Sequence, residues 1–228
     1  MDWVRIRNIL IERYRADETD HRAFALSRKL RGRARSQRRR EKHGEKRAAG
    51  PQAVPYHNYI QNALAQGIPL IAMDLEWNGK RPVTEIGLAI LHNGTVTHHN
   101  IKTVNSRNKV STSYYGDRRF IHGETQEMSS PDAKMWLGEL LAQPNLIIGH
   151  AFRGDMLQLS RWGFNLPSEI RVVDTAKWWK AVCPPNLRSL DFLAARYGID
   201  FDVKHCAGND AYVTLQVALR MSEEFGRE

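Results

Sequence analysis

Between residues 69 and 103 polarity alternates with the period of a β-strand, and two Asn-Gly pairs interrupt the pattern. PLIAMDLEW (69–77), VTEIGLAIL (83–91) and TVTHHNIKT (95–103) read as strands, with NGKRP (78–82) and HNG (92–94) as tight turns between them. Turns this short set neighbouring strands antiparallel, so the segment predicts a three-stranded meander. From residue 131 the pattern changes. PDAKMWLGELLAQ, FRGDMLQLSRWG, LRSLDFLAARYG and GNDAYVTLQVALRMSEEF read as helices, with NLIIGH (145–150) and EIRVVDT (169–175) as short strands. YHNYIQNALAQG (56–67) adds a helix before the first strand, while residues 104–130 are polar and carry no clear element signal. A meander followed by alternating helix and strand predicts an α/β fold, with a mixed central sheet and flanking helices.

Charge divides the chain in two. Of 34 Lys and Arg and 25 Asp and Glu, residues 1–50 hold 16 and 7, which leaves 18 of each sign for the rest. The excess positive charge therefore lies in residues 1–54, read as an amphipathic helix (2–15), a basic arm and a linker, ahead of a folded domain over 55–228. Eleven Lys and Arg against two acids in residues 28–47 suit a nucleic-acid arm or a nuclear import signal, with a solvated tail as the plain alternative. The helix before it could dock a protein partner or pack on this chain. Acids at Asp2, Glu12, Asp17, Glu18 and Asp20 argue against a mitochondrial presequence. Two cysteines without metal-site spacing, and no apolar run long enough to span a bilayer, point to an intracellular protein of nucleus or cytoplasm with no membrane partner.

Acids inside apolar elements carry the chemistry. Asp74 and Glu76 stand two apart on one strand face, where two carboxylates repel unless a cation lies between them. Asp155 shares a helical stripe with Leu159 and Trp162, and Asp210 one with Val213 and Val217. Each has an ordinary alternative: the polar side of an edge strand for the pair, first-turn dipole interaction for the two helical acids. Convergence of all four would make a site for hard divalent cations, which take oxygen ligands. His205, five residues before Asp210, could then accept a proton from an attacking water. A surface histidine is the plain reading of that position.

These segments resemble a known family. Residues 70–91 resemble the first exonuclease motif of the DEDD (DnaQ-like) superfamily, with D-x-E at Asp74-Leu75-Glu76 and E-I-G at Glu85-Ile86-Gly87. GHAFRGDMLQL (149–159) resembles the second motif and supplies Asp155, while HCAGNDA (205–211) resembles the third, H-x-A-x-x-D-A, whose histidine marks the DEDDh branch. The VVDT strand end at Asp174 is similar too, and DLEWNGK and FIHGET most resemble fungal DEDDh-domain proteins. One departure is visible: where the second motif usually reads G-H-N-x-x-F-D, Ala151 replaces the Asn and Gly154 the Phe.

The resemblance implies an RNase H-like fold and a 3′→5′ exonuclease acting on single-stranded RNA or DNA by a two-metal mechanism. Asp74, Glu76, Asp155 and Asp210 would hold two Mg²⁺ (or Mn²⁺) ions, and His205 would be the base. Trp77 would lie beside the terminal nucleotide, where an indole stacks on a base or else packs on the core. Arg118 and Arg119 are candidate phosphate contacts. The altered second motif leaves room for a catalytically weak nucleic-acid-binding adaptor or a ribonucleoprotein subunit that keeps the fold.

Overall fold

The computed structural model describes residues 56–79, 83–104, 118–168 and 170–226, all within the compact unit Ala53–Glu228. The helix expected over 2–15, the basic arm and the linker lie outside the described residues. In chain order the elements are α1 (Tyr56–Ala65), β1 (Leu70–Trp77), β2 (Val83–His92), β3 (Thr95–Val104), β4 (Thr125–Ser129) and α2 (Ser130–Leu141). Then come β5 (Leu146–Gly149), α3 (Arg153–Arg161), β6 (Arg171–Asp174), α4 (Thr175–Val182), α5 (Leu190–Arg196) and α6 (Ala207–Phe225).

The six strands form one mixed sheet in the order β4-β3-β2-β1-β5-β6. β1, β2 and β3 make the expected antiparallel meander, and β5 and β6 join it parallel to β1. Two elements carry no clear signal in the sequence. β4 (TQEMS) runs parallel to β3 as a largely exposed edge strand, without the apolar alternation that marks the others. α4 starts directly at the end of β6, where the Asp174 side chain accepts from the N–H groups of Ala176 and Lys177 and caps it.

Strand periodicity sorts the core onto the two sheet faces. Leu70 and Ala72 pack with Ala211, Val213 and Val217 of α6 and with Trp178 of α4. Ile71, Met73 and Leu75 point the other way, to Leu137 of α2 and Leu159 of α3. Asp74 and Glu76 continue the row of Leu70 and Ala72, so they face the side on which α6 lies. Glu76 is buried, so this acidic pair is not the solvent-facing side of an edge strand.

The first turn of α6 is seated on the sheet by side chains from two strands. Its leading amides are orphan donors, as at any helix start, and Cys206 supplies no side-chain cap. Instead Ala207 N–H donates to Glu85 Oε1 of β2 (3.1 Å) and Gly208 N–H to Asn100 Oδ1 of β3 (2.9 Å). Glu85 also accepts from the Cys206 thiol, which burial and the Glu85 charge push up to about 12, so it stays a donor. Gly87 makes the approach feasible, because a Cβ there would lie 1.9 Å from the Ala207 carbonyl carbon and 2.3 Å from Gly208 N. Both obstacles are backbone and cannot rotate away. Gly87→Ala is therefore expected to cost about 3 kcal/mol or more, at or beyond the upper end for overpacking, read as a large fall in the thermal midpoint.

Candidate active site

β5 is short, and its pairing with β1 covers only Leu70–Ala72. The last five residues of β1, Met73–Trp77, thus have an edge without a β5 partner. Asp155, at the start of the helix that follows β5, takes over there: Leu75 N–H donates to Asp155 Oδ1 at 3.1 Å. A cavity of about 490 Å³ opens at this point, lined by Asp74, Glu76, Trp77, Asp155, His205 and Asp210, with His150, Ala151 and Gly154 on its rim. The five residues expected to act together in catalysis are brought together, from β1, α3, α6 and the turn before α6.

Within the cavity, ligand atoms of Glu76, His205 and Asp210 all lie within 4.8 Å of one another. His205 sits at φ +60, a left-handed conformation unusual for a non-glycine residue. Its N–H donates to Asp210 Oδ2 (3.3 Å), while Asp210 Oδ1 is buried with no hydrogen-bond partner among the described residues. A buried carboxylate oxygen without a donor is a costly arrangement that a cation would satisfy.

The acids are held far from their ordinary behaviour. Burial, reinforced by Asp155, Asp210, Glu76 and Glu85, lifts Asp74 well above the usual carboxylate range. Burial and then the Glu85 charge, its direct cross-strand partner, push Glu76 up to about 7. Burial pushes Asp155 up to about 7 against the lowering effect of its backbone donors, and burial with Glu76 pushes Asp210 up to about 8. Without a cation these groups cannot all ionise together. The donor set, all oxygen with one imidazole beside it, fits Mg²⁺ or Mn²⁺.

Trp77 reaches the cavity, and its indole passes over Gly154 of α3, at 3.5 Å from where a Cβ would stand. The aromatic that the second motif usually carries at that position is thus answered by one from β1. Arg118 and Arg119 are exposed and do not line the cavity; they lie on the segment before β4 that packs against the start of α6. Several residues of the site region carried no functional expectation. Glu85, Asn100 and Asn209 act through long-range hydrogen bonds. His150 is tied to Thr175 Oγ1 at 2.9 Å and held below its ordinary value by burial. Asp174 accepts from Ala151 N–H at 3.0 Å. For Glu85 and Asp174 the signal was available, since both are acids in apolar strands.

A family model described as the DNA polymerase III subunit epsilon-like, C-terminal domain (DEDDh) matches residues 97–221. The chain belongs to this DEDDh exonuclease family. The match holds Asp155, His205 and Asp210, and begins in β3, beyond Asp74 and Glu76. Among solved structures, the Neurospora crassa Pan2 catalytic unit (protease and nuclease domain) is 18% identical with a TM-score of 0.53, covering 71% of this chain. This DEDDh chain spans only 28% of that one, and the likeness shows the RNase H-like fold. Exonuclease X in complex with 5′ overhanging duplex DNA is 15% identical with a TM-score of 0.47, covering 70% of this chain and 93% of its own. No curated protein matches this chain significantly.

Two expectations follow from the site. Carboxylates raised from about 4 to about 7 or 8 bind more protons folded than unfolded, so the cation-free fold loses stability as pH rises through that window. His98, His99, His122 and His150 are held below the ordinary histidine value and are already neutral above pH ~7. Between pH ~7 and ~8 the midpoint without cation should therefore fall, and the gain from Mg²⁺ or Mn²⁺ should grow with pH. A gain independent of pH would refute the acids as the binding groups. Ala151, at φ +53 and exposed, is the second expectation. Asn tolerates this region better than Ala, so Ala151→Asn should stabilise the protein by about 0.5–1 kcal/mol in denaturant titration.

Proposed function

We propose that this chain is an active, metal-dependent 3′→5′ exonuclease that hydrolyses single-stranded RNA or DNA ends to nucleoside 5′-monophosphates. The observation that carries this reading is the convergence of Asp74, Glu76, Asp155, His205 and Asp210 on one cavity, where Asp210 Oδ1 has no partner among the described residues. A domain that only binds nucleic acid has no need of four desolvated acids beside a histidine, and the complete set favours hydrolysis over an adaptor role.

Asp74, Glu76, Asp155 and Asp210 would hold two Mg²⁺ ions, which would supply Lewis-acid stabilisation of charge on the phosphoryl oxygens. His205 would accept a proton at its ring nitrogen as water attacks phosphorus. The new bond is water oxygen to phosphorus, the bond broken is phosphorus to the O3′ of the preceding nucleotide, and that oxygen leaves protonated from solvent. Trp77 would stack on the terminal base, and Arg118 and Arg119 would meet phosphates further along the strand. Residues 28–47 would add sequence-independent attraction through counterion release, and residues 1–50 could also dock a protein partner.

End-labelled single strands incubated with Mg²⁺ or Mn²⁺ should ladder from the 3′ end and stop with EDTA. Asp74→Ala should slow this about a hundredfold or more, the scale of removing one charge-stabilising group. Laddering that survives Asp74→Ala would sink the mechanism, and salt-sensitive binding without degradation in either metal would favour the adaptor. Deleting residues 1–50 should flatten the dependence of log K on log salt by about 0.7 for each phosphate that the arm had neutralised; an unchanged slope rules the arm out.

A further inference from the structure

Asn209 precedes Asp210 in the first turn of α6 and is 1% exposed. Its amide ties the turn that carries His205 to the segment that precedes β4. Nδ2 donates to Val203 O (3.0 Å), two residues before His205, and to Arg119 O (2.9 Å). Oδ1 accepts from Ile121 N–H (3.1 Å). All the hydrogen-bonding capacity that this carboxamide offers along those directions is spent on backbone, none on solvent. Next to it, Gly208 leaves room for the buried Phe120 ring: a Cβ there would lie 2.6 Å from that ring. His122 then packs at a tilt against Tyr212 of α6, with ring centroids 4.0 Å apart. The segment 118–123 is thereby strapped across the start of the helix that carries Asp210.

The turn before α6 needs such a tie. His205 holds a left-handed backbone that costs about 1–3 kcal/mol and persists only where the surroundings over-determine it. Asp210 Oδ2 secures the His205 N–H from one side. Asn209 secures the Val203 carbonyl from the other. We propose that Asn209 is a positioning residue that locks the His205 turn and the Arg118–Arg119 strap into one unit, so that the aim of the base depends on the strap as well as on its own turn. The inference rests on the exonuclease reading for its catalytic consequence, though not for the physical tie itself.

The test uses the full chain as wild type, Asn209→Ala, Asn209→Asp and Asn209→Gln, with single-strand cleavage, Mn²⁺ affinity and amide exchange measured on each. Asn209→Ala should lower kcat about tenfold or more, on the scale of a slightly misplaced catalytic group. Mn²⁺ affinity should stay within about twofold, because the oxygen ligands are untouched. Amides in 118–123 and 203–206 should exchange faster together. Asn209→Gln, which keeps the same donors and acceptor, should recover part of kcat. Should Asn209→Ala not fold, Asn209→Asp decides: it retains the acceptor but no donor, so the Ile121 amide should stay protected while 203–206 loosens. Wild-type kcat in whichever of Asn209→Ala and Asn209→Asp folds, loosening of one segment without the other in Asn209→Ala, or full protection of 203–206 in Asn209→Asp overturns the proposal. If the wild type cleaves nothing, the exonuclease reading fails while the exchange arm still decides the tie.

Discussion

The structure depends on how the first turn of α6 is seated. A helix start exposes amides that must find acceptors, and here two of them are met by Glu85 and Asn100, side chains of the sheet. That choice fixes the helix along its axis as well as against the sheet face. Apolar packing of Val213 and Val217 would tolerate small slides, whereas two directional hydrogen bonds and the bare backbone at Gly87 do not. Since Asp210 follows within the same turn, and His205 precedes it by one bend, the seating sets both relative to Asp74 and Glu76. Cross-strand pairing supplies the other half, because Glu76 lies opposite Glu85.

The same contact sets the electrostatics. Glu85 is buried and adds charge to a place where Glu76 already resists ionising. Burial holds its carboxyl above the usual range, but three donors, Ala207 N–H, the Cys206 thiol and Asn100, oppose that rise. Asp210 has fewer, with one oxygen occupied and the other without a partner among the described residues. Within a few ångströms the fold thus separates a carboxylate that serves architecture from carboxylates kept short of donors. A divalent cation meets the second kind and is not required by the first.

How far the sequence disclosed this can be traced residue by residue. Asp74 and Glu76 were legible because a period of two places them on one face and their strand is otherwise apolar. Asp155 was legible from its helical stripe, and it is indeed buried. β4 was not, because an exposed parallel edge strand has no apolar row to betray it. α4 hid between two segments because its start is written in a single capping acid, Asp174, shared with the end of β6. Asn209 and Asn100 read as ordinary polar residues, since their partners lie 90 and 108 positions away along the chain. Local pattern carries the elements and the odd acids; the bonds that aim them are non-local.

β5 stops where β1 goes on, and that shortfall has an architectural meaning. The cavity is a missing length of strand, and the loops around it do not create it. Asp155 occupies the hydrogen-bonding position that a longer β5 would have claimed from Leu75. Lengthening β5 in register to the end of β1 would complete the ladder and evict the carboxylate, and a more regular sheet would have no site. In this fold the place for chemistry is a deliberate interruption in an otherwise continuous hydrogen-bond lattice.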